Sequence, residues 1–237
     1  MHDEHSVGAP VTQAAAPRHL AVVRITHWIV VLSVLGLLVS GIGILISHPR
    51  LYWGETGSVG TRSLIDLPIP FIIGPSVWNR PIHFFFAWAL VLAGLAYVGG
   101  GFLTRHFRRN LVPATADLRW DHLARVIADH LRRNAARADG AGPYNAVQRL
   151  TYLSVVFGLF PAILWTGLGM SFGVTSVFPV LATALGGHQS ARTLHFVFVA
   201  VLILFAVVHV VLVYMAGFWI NTRAMITGHV PQGGRVR

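Results

Sequence analysis

Four long apolar stretches, separated by segments rich in arginine, glycine or proline, dominate the hydrophobic pattern of the chain. A helix needs about 20 apolar residues to cross the hydrocarbon core of a bilayer, and each stretch is at least that long. The pattern therefore predicts four membrane-spanning helices, at about residues 24–47, 81–104, 150–172 and 193–217.

The third stretch holds 42 uncharged residues, which is too many for one span. We expect its helix to be kinked near Pro161, because proline lacks the backbone N–H that an α-helix needs. The rest should return as a loop or half-helix before Arg192. The fourth span should be followed by a polar tail that starts at Asn221.

The segments between the spans differ in character. Residues 50–80 are broken by glycine and proline and rich in aromatic residues, which is typical of a structured extramembrane loop at the interface. Residues 105–149 carry nine arginines and predict an amphipathic helix along the membrane surface, or equally a solvated basic connector. Residues 1–19 read as a flexible tail and residues 231–237 as a second, short tail, around a membrane domain of residues 20–230.

Composition narrows the class of protein. Hydrophobic residues make up 54% of the chain and charged residues only 11%, which is unlike a soluble domain. The net charge of +10 comes entirely from arginines that lie mostly between apolar stretches, which favours lipid headgroups over nucleic acid as the partner. The absence of cysteine excludes disulfides, thiolate-bound clusters and thioether-attached haem.

The arginine distribution also predicts the orientation. The two terminal flanks and the loop at 105–149 contain 14 arginines, whereas the other two loops contain four. By the positive-inside rule, both termini and the middle loop are cytoplasmic, and the protein belongs in the bacterial inner membrane.

Four histidines lie within or at the ends of the predicted spans. His195 and His209 are 14 positions apart, which on a helix is about 21 Å along the axis and nearly the same face. Span direction then places His27 at the cytoplasmic depth of His209, and His83 at the outer depth of His195. Ionisable residues inside spans usually mark a functional site.

Two imidazole pairs at two depths, without carboxylate or thiolate in the spans, fit two six-coordinate haems. Zinc or copper would recruit three or four protein ligands at one depth. Ligation by two histidines leaves no open axial position, which favours electron transfer over small-molecule activation. The alternative for each histidine is an interior or helix-end residue without a metal.

Two further sets of residues are haem-contact candidates. An arginine stands three residues before three of the histidines, one helical turn nearer the headgroups, where it could pair with a haem propionate or simply flank the span. These arginines are Arg24, Arg80 and Arg192. Gly36 and Gly94 lie deeper in histidine-bearing spans, where a small residue leaves room for a flat macrocycle or for helix packing.

Several stretches resemble a known family. RITHWIVVLSVLGLLVSGIGI, YNAVQRLTYLSVVFGLFPAILWTGLGMS and RTLHFVFVAVLILFAVVHV are similar to the bacterial di-haem cytochrome b subunits of nickel-iron hydrogenase, formate dehydrogenase and thiosulfate reductase. The resemblance runs from about Arg18 to Val230. It implies haem ligands at His27, His83, His195 and His209, and electron exchange between a partner redox subunit and the quinone pool.

The fold predicted from all of this is an all-α, integral membrane four-helix bundle with two b haems between the helices. The predicted function is an electron-transfer subunit between an extracytoplasmic subunit, of the molybdopterin type, and quinone. One alternative is a stand-alone di-haem quinone oxidoreductase that reacts with a small oxidant such as superoxide. Another is a haem-free transporter or anchor, although the spans hold no acidic residue for ion coupling.

Overall fold

The computed structural model describes residues 20–57, 60–69, 77–105 and 146–229, together with residues 107, 111 and 128. The elements in chain order are α1 (Ala21–Ser47), β1 (Arg50–Leu51), β2 (Ile65–Asp66), α2 (Asn79–Leu103), α3 (Ala146–Ser154), α4 (Phe160–Gly169), α5 (Phe172–Thr175), α6 (Val180–Thr183), α7 (His188–Met215) and α8 (Phe218–Thr227). A π-helical segment, Val155–Leu159, joins α3 to α4.

Four helices are long and apolar enough to cross a membrane, which confirms the predicted all-α membrane bundle. They are α1, α2, the continuous helix Val147–Gly169 and α7, with 27, 25, 23 and 28 residues. Large apolar side chains cover their surfaces; Leu32, Val39 and Leu204, for example, are 63%, 73% and 64% exposed. Such a surface is stable in hydrocarbon and not in water.

The third spanning helix is irregular beside Pro161, where the sequence predicts a kink. The segment Val155–Leu159 is π-helical, and the N–H of Phe160 donates to the carbonyl of Val155 five residues earlier. Pro161 offers no N–H, and its ring would clash with the carbonyl four residues before it, so a local widening of the helix removes the conflict.

The bundle consists of two helix pairs. α1 packs along α2, and the third spanning helix packs along α7 mainly through α4. Among the described residues, close backbone contact is much more extensive within these pairs than between them. The two pairs therefore face each other across a zone that side chains have to bridge.

The loop after α1 closes one end of the bundle. β1 and β2 pair antiparallel, and an ion pair of 3.4 Å joins Arg50 Nε to Asp66 Oδ2. The carbonyl of Gly54 accepts hydrogen bonds from the N–H groups of Gln189 and Ser190, at 3.0 and 3.2 Å. These N–H groups lie in the first turn of α7, where a helix has no partners of its own for them.

The fourth spanning helix consequently begins at His188, five residues before the predicted start at 193. Gly186 and Gly187 have φ angles of +83° and +112°, a backbone conformation that residues with a side chain rarely adopt. A Cβ on Gly187 would also lie 2.6 Å from the Gly54 carbonyl oxygen. The glycine turn and the docked loop together allow α7 to start early.

The polar stretch predicted after the fourth span begins within a helix, because Phe218–Thr227 forms α8. Gly217 and Gly228, with φ of +99° and +87°, lie at its two ends and allow the chain to turn there. The predicted amphipathic helix of residues 105–149 and both predicted tails lie outside the described residues, apart from a few positions.

Candidate haem site between the helix pairs

The four span histidines meet in two pairs, and the pairs are those that the predicted span directions require. The ring centroids of His27 and His209 are 6.5 Å apart, and those of His83 and His195 are 6.4 Å apart. Each pair bridges the two helix pairs, since α1 or α2 supplies one ring and α7 the other. We call the two ends of the bundle the His27 end and the His83 end.

The ring separations fit a metal ion held between two axial imidazoles. Imidazole nitrogens bind a metal at about 2.0–2.1 Å, so two axial rings of about 1.1 Å radius have centroids about 6.2–6.4 Å apart. The observed values are within a few tenths of an ångström of this separation. The donor set therefore fits a haem iron, which obtains its four equatorial ligands from the macrocycle.

No cluster of three or more histidine, cysteine or acidic side chains able to hold a metal ion occurs in the part of the chain that the structure describes. Zinc and copper sites in proteins usually recruit three or four such ligands. A site with two protein ligands is complete only for a metal that brings its own chelate. This favours haem over a bare ion at both pairs.

Hydroxyl groups contact the rings at the His83 end. The Nδ1 atom of His83 lies 3.0 Å from Ser40 Oγ, and that of His195 lies 3.0 Å from Thr166 Oγ1. His195 Nδ1 is also 3.1 Å from the carbonyl oxygen of Ile163. Hydrogen bonds at Nδ1 leave the Nε2 atoms for a metal.

Aromatic rings surround the pair at the His27 end. Phe205 stacks on His209 with a centroid distance of 5.8 Å, and Tyr152 meets the same ring edge-on at 6.3 Å. Trp28 packs edge-on against His27 at 5.3 Å. Apolar rings around a redox centre exclude water and lower the local dielectric constant, which influences the potential.

The two glycines predicted as haem contacts have different surroundings. A Cβ on Gly36 would collide with the ring of Phe86, so this glycine allows close packing of α1 on α2. A Cβ on Gly94 would meet nothing within 4 Å, so space is open beside α2 at that level. A role toward haem stays a prediction for both residues.

The three predicted arginines lie at the ends of the bundle, one turn beyond their histidines. Arg24 donates from Nη1 to the Ile226 carbonyl at 2.7 Å, while its buried Nε has no hydrogen-bond partner among the described residues. Arg192 donates to the carbonyl of His48, and Arg80 is exposed at the start of α2. Their binding of propionates stays a prediction.

Sequence reasoning missed Ser40 and Thr166, although a signal was present. Residues 40–43 read SGIG and residues 166–169 read TGLG, so the first and third spans repeat one short pattern. Hydroxyl residues inside helices often bond only to the carbonyl four residues earlier, and the pattern alone does not show which neighbouring helix it faces. The helix packing supplies that information.

Four spans that enclose two facing imidazole pairs define a class of protein, the membrane cytochromes b. The chain belongs to the family described as prokaryotic cytochrome b561, whose sequence profile matches residues 18–228. This confirms the family resemblance, and with it the assignment of the protein as a multi-pass membrane cytochrome b with haem b as its cofactor.

A relative from Azospira oryzae is named "Putative protein-methionine-sulfoxide reductase subunit YedZ1". It is 28% identical to this chain over 211 residues, which cover 87% of the chain and 93% of the relative. No solved structure matches the chain. The family and the relative together support an electron-transfer subunit of an oxidoreductase.

Proposed function

We propose that this protein transfers electrons across the membrane through two b haems, one held by His27 and His209 and the other by His83 and His195. The observation that carries the proposal is the pair of ring separations, 6.5 and 6.4 Å. His195 and His209 lie 14 residues apart on α7, or about 21 Å along its axis. Bound there, each haem would supply one-electron redox chemistry.

Side chains of this protein would hold each haem, neutralise its propionates and leave space for its ring. With a haem bound, the two imidazoles of each pair would hold its iron and leave no position open to oxygen or another small ligand. Arg24, Arg80 and Arg192 stand one turn beyond the histidines, where a guanidinium neutralises propionate charge. Gly94 leaves space beside α2 in which a macrocycle can lie against the helix backbone.

We further propose that the His27 end faces the cytoplasm of a bacterium and that the protein lies in its inner membrane. The support is the arginine distribution, with 14 of 18 on the side of the termini and the 105–149 loop. The His83 end then faces outward, and electrons pass between the two faces.

The proposed partner at the His83 end is an extracytoplasmic redox subunit of the molybdopterin type. The relative named as a putative protein-methionine-sulfoxide reductase subunit supports a partner that belongs to a reductase. The loop after α1 presents large apolar side chains there, including Trp53 at 58% and Trp78 at 70% exposure. Aromatic residues of this sort are enriched in protein interfaces and at membrane surfaces.

At the His27 end we propose that quinone binds in an open cavity of about 390 Å³ on the surface of the bundle and exchanges electrons with the haem of that pair. The lining residues are Arg24, Ile25, Trp28, Met225 and Ile226. Apolar walls with one cationic donor suit a ring that carries carbonyl oxygens. Trp28 also contacts His27, so a ring bound in the cavity would lie close to the haem of that pair.

The di-haem proposal is tested by counting haem. Protein purified in detergent should contain two low-spin b haems per chain, because each imidazole pair holds one. The measurement is a pyridine haemochrome assay with a reduced-minus-oxidised visible spectrum. Protein that contains no haem, although the cells were supplied with it, would contradict the proposed function.

The proposal that quinone binds in the cavity is tested by placing a bulky side chain there. Ile226→Trp should raise the KM for a water-soluble quinol roughly tenfold, a loss of about 1.4 kcal/mol of binding free energy, while the haem content stays unchanged. The assay is reduction of the haems by the quinol. Leu103→Trp, at a position that is 89% exposed at the end of α2, is the control. Equal KM values for the two variants would place the quinone elsewhere.

A further inference from the structure

The first and third spans make equivalent contacts with the two histidines at the His83 end. Ser40 and Thr166 each place a hydroxyl 3.0 Å from Nδ1 of the histidine in the following span. The next residue in each case is a glycine, and a Cβ there would lie 3.5 Å from the His83 ring at Gly41 and 3.6 Å from the His195 ring at Gly167. One dipeptide pattern therefore contacts both rings of a pair from opposite sides of the bundle.

The hydroxyl hydrogens of Ser40 and Thr166 already form hydrogen bonds within their own helices. Ser40 Oγ donates to the Gly36 carbonyl at 2.7 Å, and Thr166 Oγ1 donates to the Ala162 carbonyl at 2.8 Å. A hydroxyl has one hydrogen, so its oxygen is left to accept from the imidazole. With the hydroxyl hydrogens placed on these carbonyls, the hydrogen of each ring lies on Nδ1.

A second contact leads to the same tautomer for His195. Its Nδ1 lies 3.1 Å from the carbonyl oxygen of Ile163, and a carbonyl can only accept. Nδ1 of His195 is therefore a donor, and its Nε2 carries the lone pair. A neutral imidazole in this tautomer is ready to bind a metal through Nε2.

The glycines leave room beside each ring without bringing the helix backbone into a close contact. A Cβ at Gly41 or at Gly167 would be in ordinary van der Waals contact with the ring of His83 or of His195. The hydroxyl contacts of Ser40 and Thr166 are therefore the interactions that can orient the two rings.

The surroundings of His209 at the His27 end are different. That ring lies between Phe205 and Tyr152, and the contacts are aromatic. In the first and third spans, the Ser/Thr-Gly pattern lies at the level of the His83–His195 pair. A contact pattern repeated at one histidine pair is expected to give the two haems different potentials.

We propose that Ser40 and Thr166 are positioning residues that accept the Nδ1 hydrogens of His83 and His195, orient both rings for axial binding, and lower the potential of the haem between them. The proposal rests on the proposed function, because it requires a haem at this pair. Hydrogen bonding at Nδ1 makes the imidazole a stronger electron donor, which stabilises the ferric state. Loss of the hydroxyl should therefore raise the potential.

The test uses Ser40→Ala, Thr166→Val and the double variant in the full-length haem-loaded protein. We expect two haems per chain in each, an upward shift in the midpoint potential of one haem, and altered low-spin EPR g-values for that haem. The double variant should show the largest shift. The haem that remains in a His195→Ala variant identifies the signals of the other pair, which should not move.

Two controls separate positioning from a general effect of losing a hydroxyl. Ser47→Ala in α1 and Thr175→Val in α5 remove hydroxyls that donate to backbone carbonyls of their own segments, at 3.1 and 3.0 Å. Neither should change a potential. Ser40→Thr and Thr166→Ser keep the acceptor and should restore the wild-type values.

Unchanged potentials and EPR spectra in the double variant would overturn the proposal, as would equal shifts of both haems. These results differ from a failure of the proposed function itself. In that case the wild-type protein would lack the second haem before any substitution was made.

Discussion

Replacing His195 with alanine is expected to remove one of the two haems and to leave the other with its spectrum unchanged. Among the four span histidines, His195 faces His83, with ring centroids 6.4 Å apart, whereas His209 faces His27. A haem that lost one of its two imidazoles would keep a single bond to the protein, from the remaining histidine, and is expected to dissociate. His209→Ala should remove the other haem instead.

The measurement is the haem-to-protein ratio of each variant, which should fall from two to one, together with a redox titration of the remaining haem. The remaining potentials should differ between the two variants, since each retains a different pair. His188→Ala is a suitable control, because this histidine lies on the same helix and packs against Phe172, with ring centroids 4.7 Å apart. Loss of both haems from every ligand variant, while the His188→Ala control keeps both, would contradict the proposal that the two haem sites are independent.

Replacing Arg192 with alanine is expected to lower the potential of the haem at the His83 end. A positive charge near a haem favours the reduced state, and Arg192 lies one turn before His195 on α7. A unit charge about 8 Å away contributes about 2 kcal/mol at an effective dielectric constant of about 20. This corresponds to roughly 90 mV for a one-electron couple.

A redox titration with optical detection measures this shift, and Arg192→Lys separates charge from shape. Lysine keeps the positive charge, so its potential should stay near that of the wild type, although it lacks the forked guanidinium that reaches the His48 carbonyl. Arg50→Ala, which removes an exposed arginine paired with Asp66, is the control at the same end. If the Arg192→Ala and Arg50→Ala titrations coincide, Arg192 does not act on the haem.

The Arg192 and Ser40/Thr166 predictions have opposite signs at the same haem. Loss of the charge should lower the potential, and loss of the Nδ1 acceptors should raise it. If both proposals hold, the two groups together would set the potential of this haem relative to that of the other. A difference between the two potentials is what would give electron flow across the membrane a direction.

The sequence predicted the number of spans, because crossing hydrocarbon requires a long uncharged helix whose backbone is satisfied internally. It also predicted which histidines meet. Because successive spans cross the membrane in opposite directions, the position of a histidine along its span predicts its depth in the membrane. His27 and His209 are 182 residues apart and still form a pair with a centroid distance of 6.5 Å. The irregularity of the third helix was likewise predicted from a local feature of the sequence, Pro161.

Other features depended on contacts between distant segments. The early start of α7 comes from the Gly54 carbonyl, which lies more than 130 residues before the N–H groups that it caps. The helix α8 contacts α1 through hydrogen bonds from Arg24 and Trp28 to the carbonyls of Ile226 and Met225. Neither contact has a local pattern that predicts it.

By itself, the sequence determined the class of this protein: four spans, two imidazole pairs at two depths, and no carboxylate or thiolate in the spans. These follow from periodicity and hydrophobicity, which act within single helices. Only the tertiary structure decided that Ser40 and Thr166 face the histidines, that Gly36 serves helix packing, and that α8 borders a cavity beside Trp28. The rotation of one helix against its neighbour determines these contacts, and it depends on how side chains of both helices interlock.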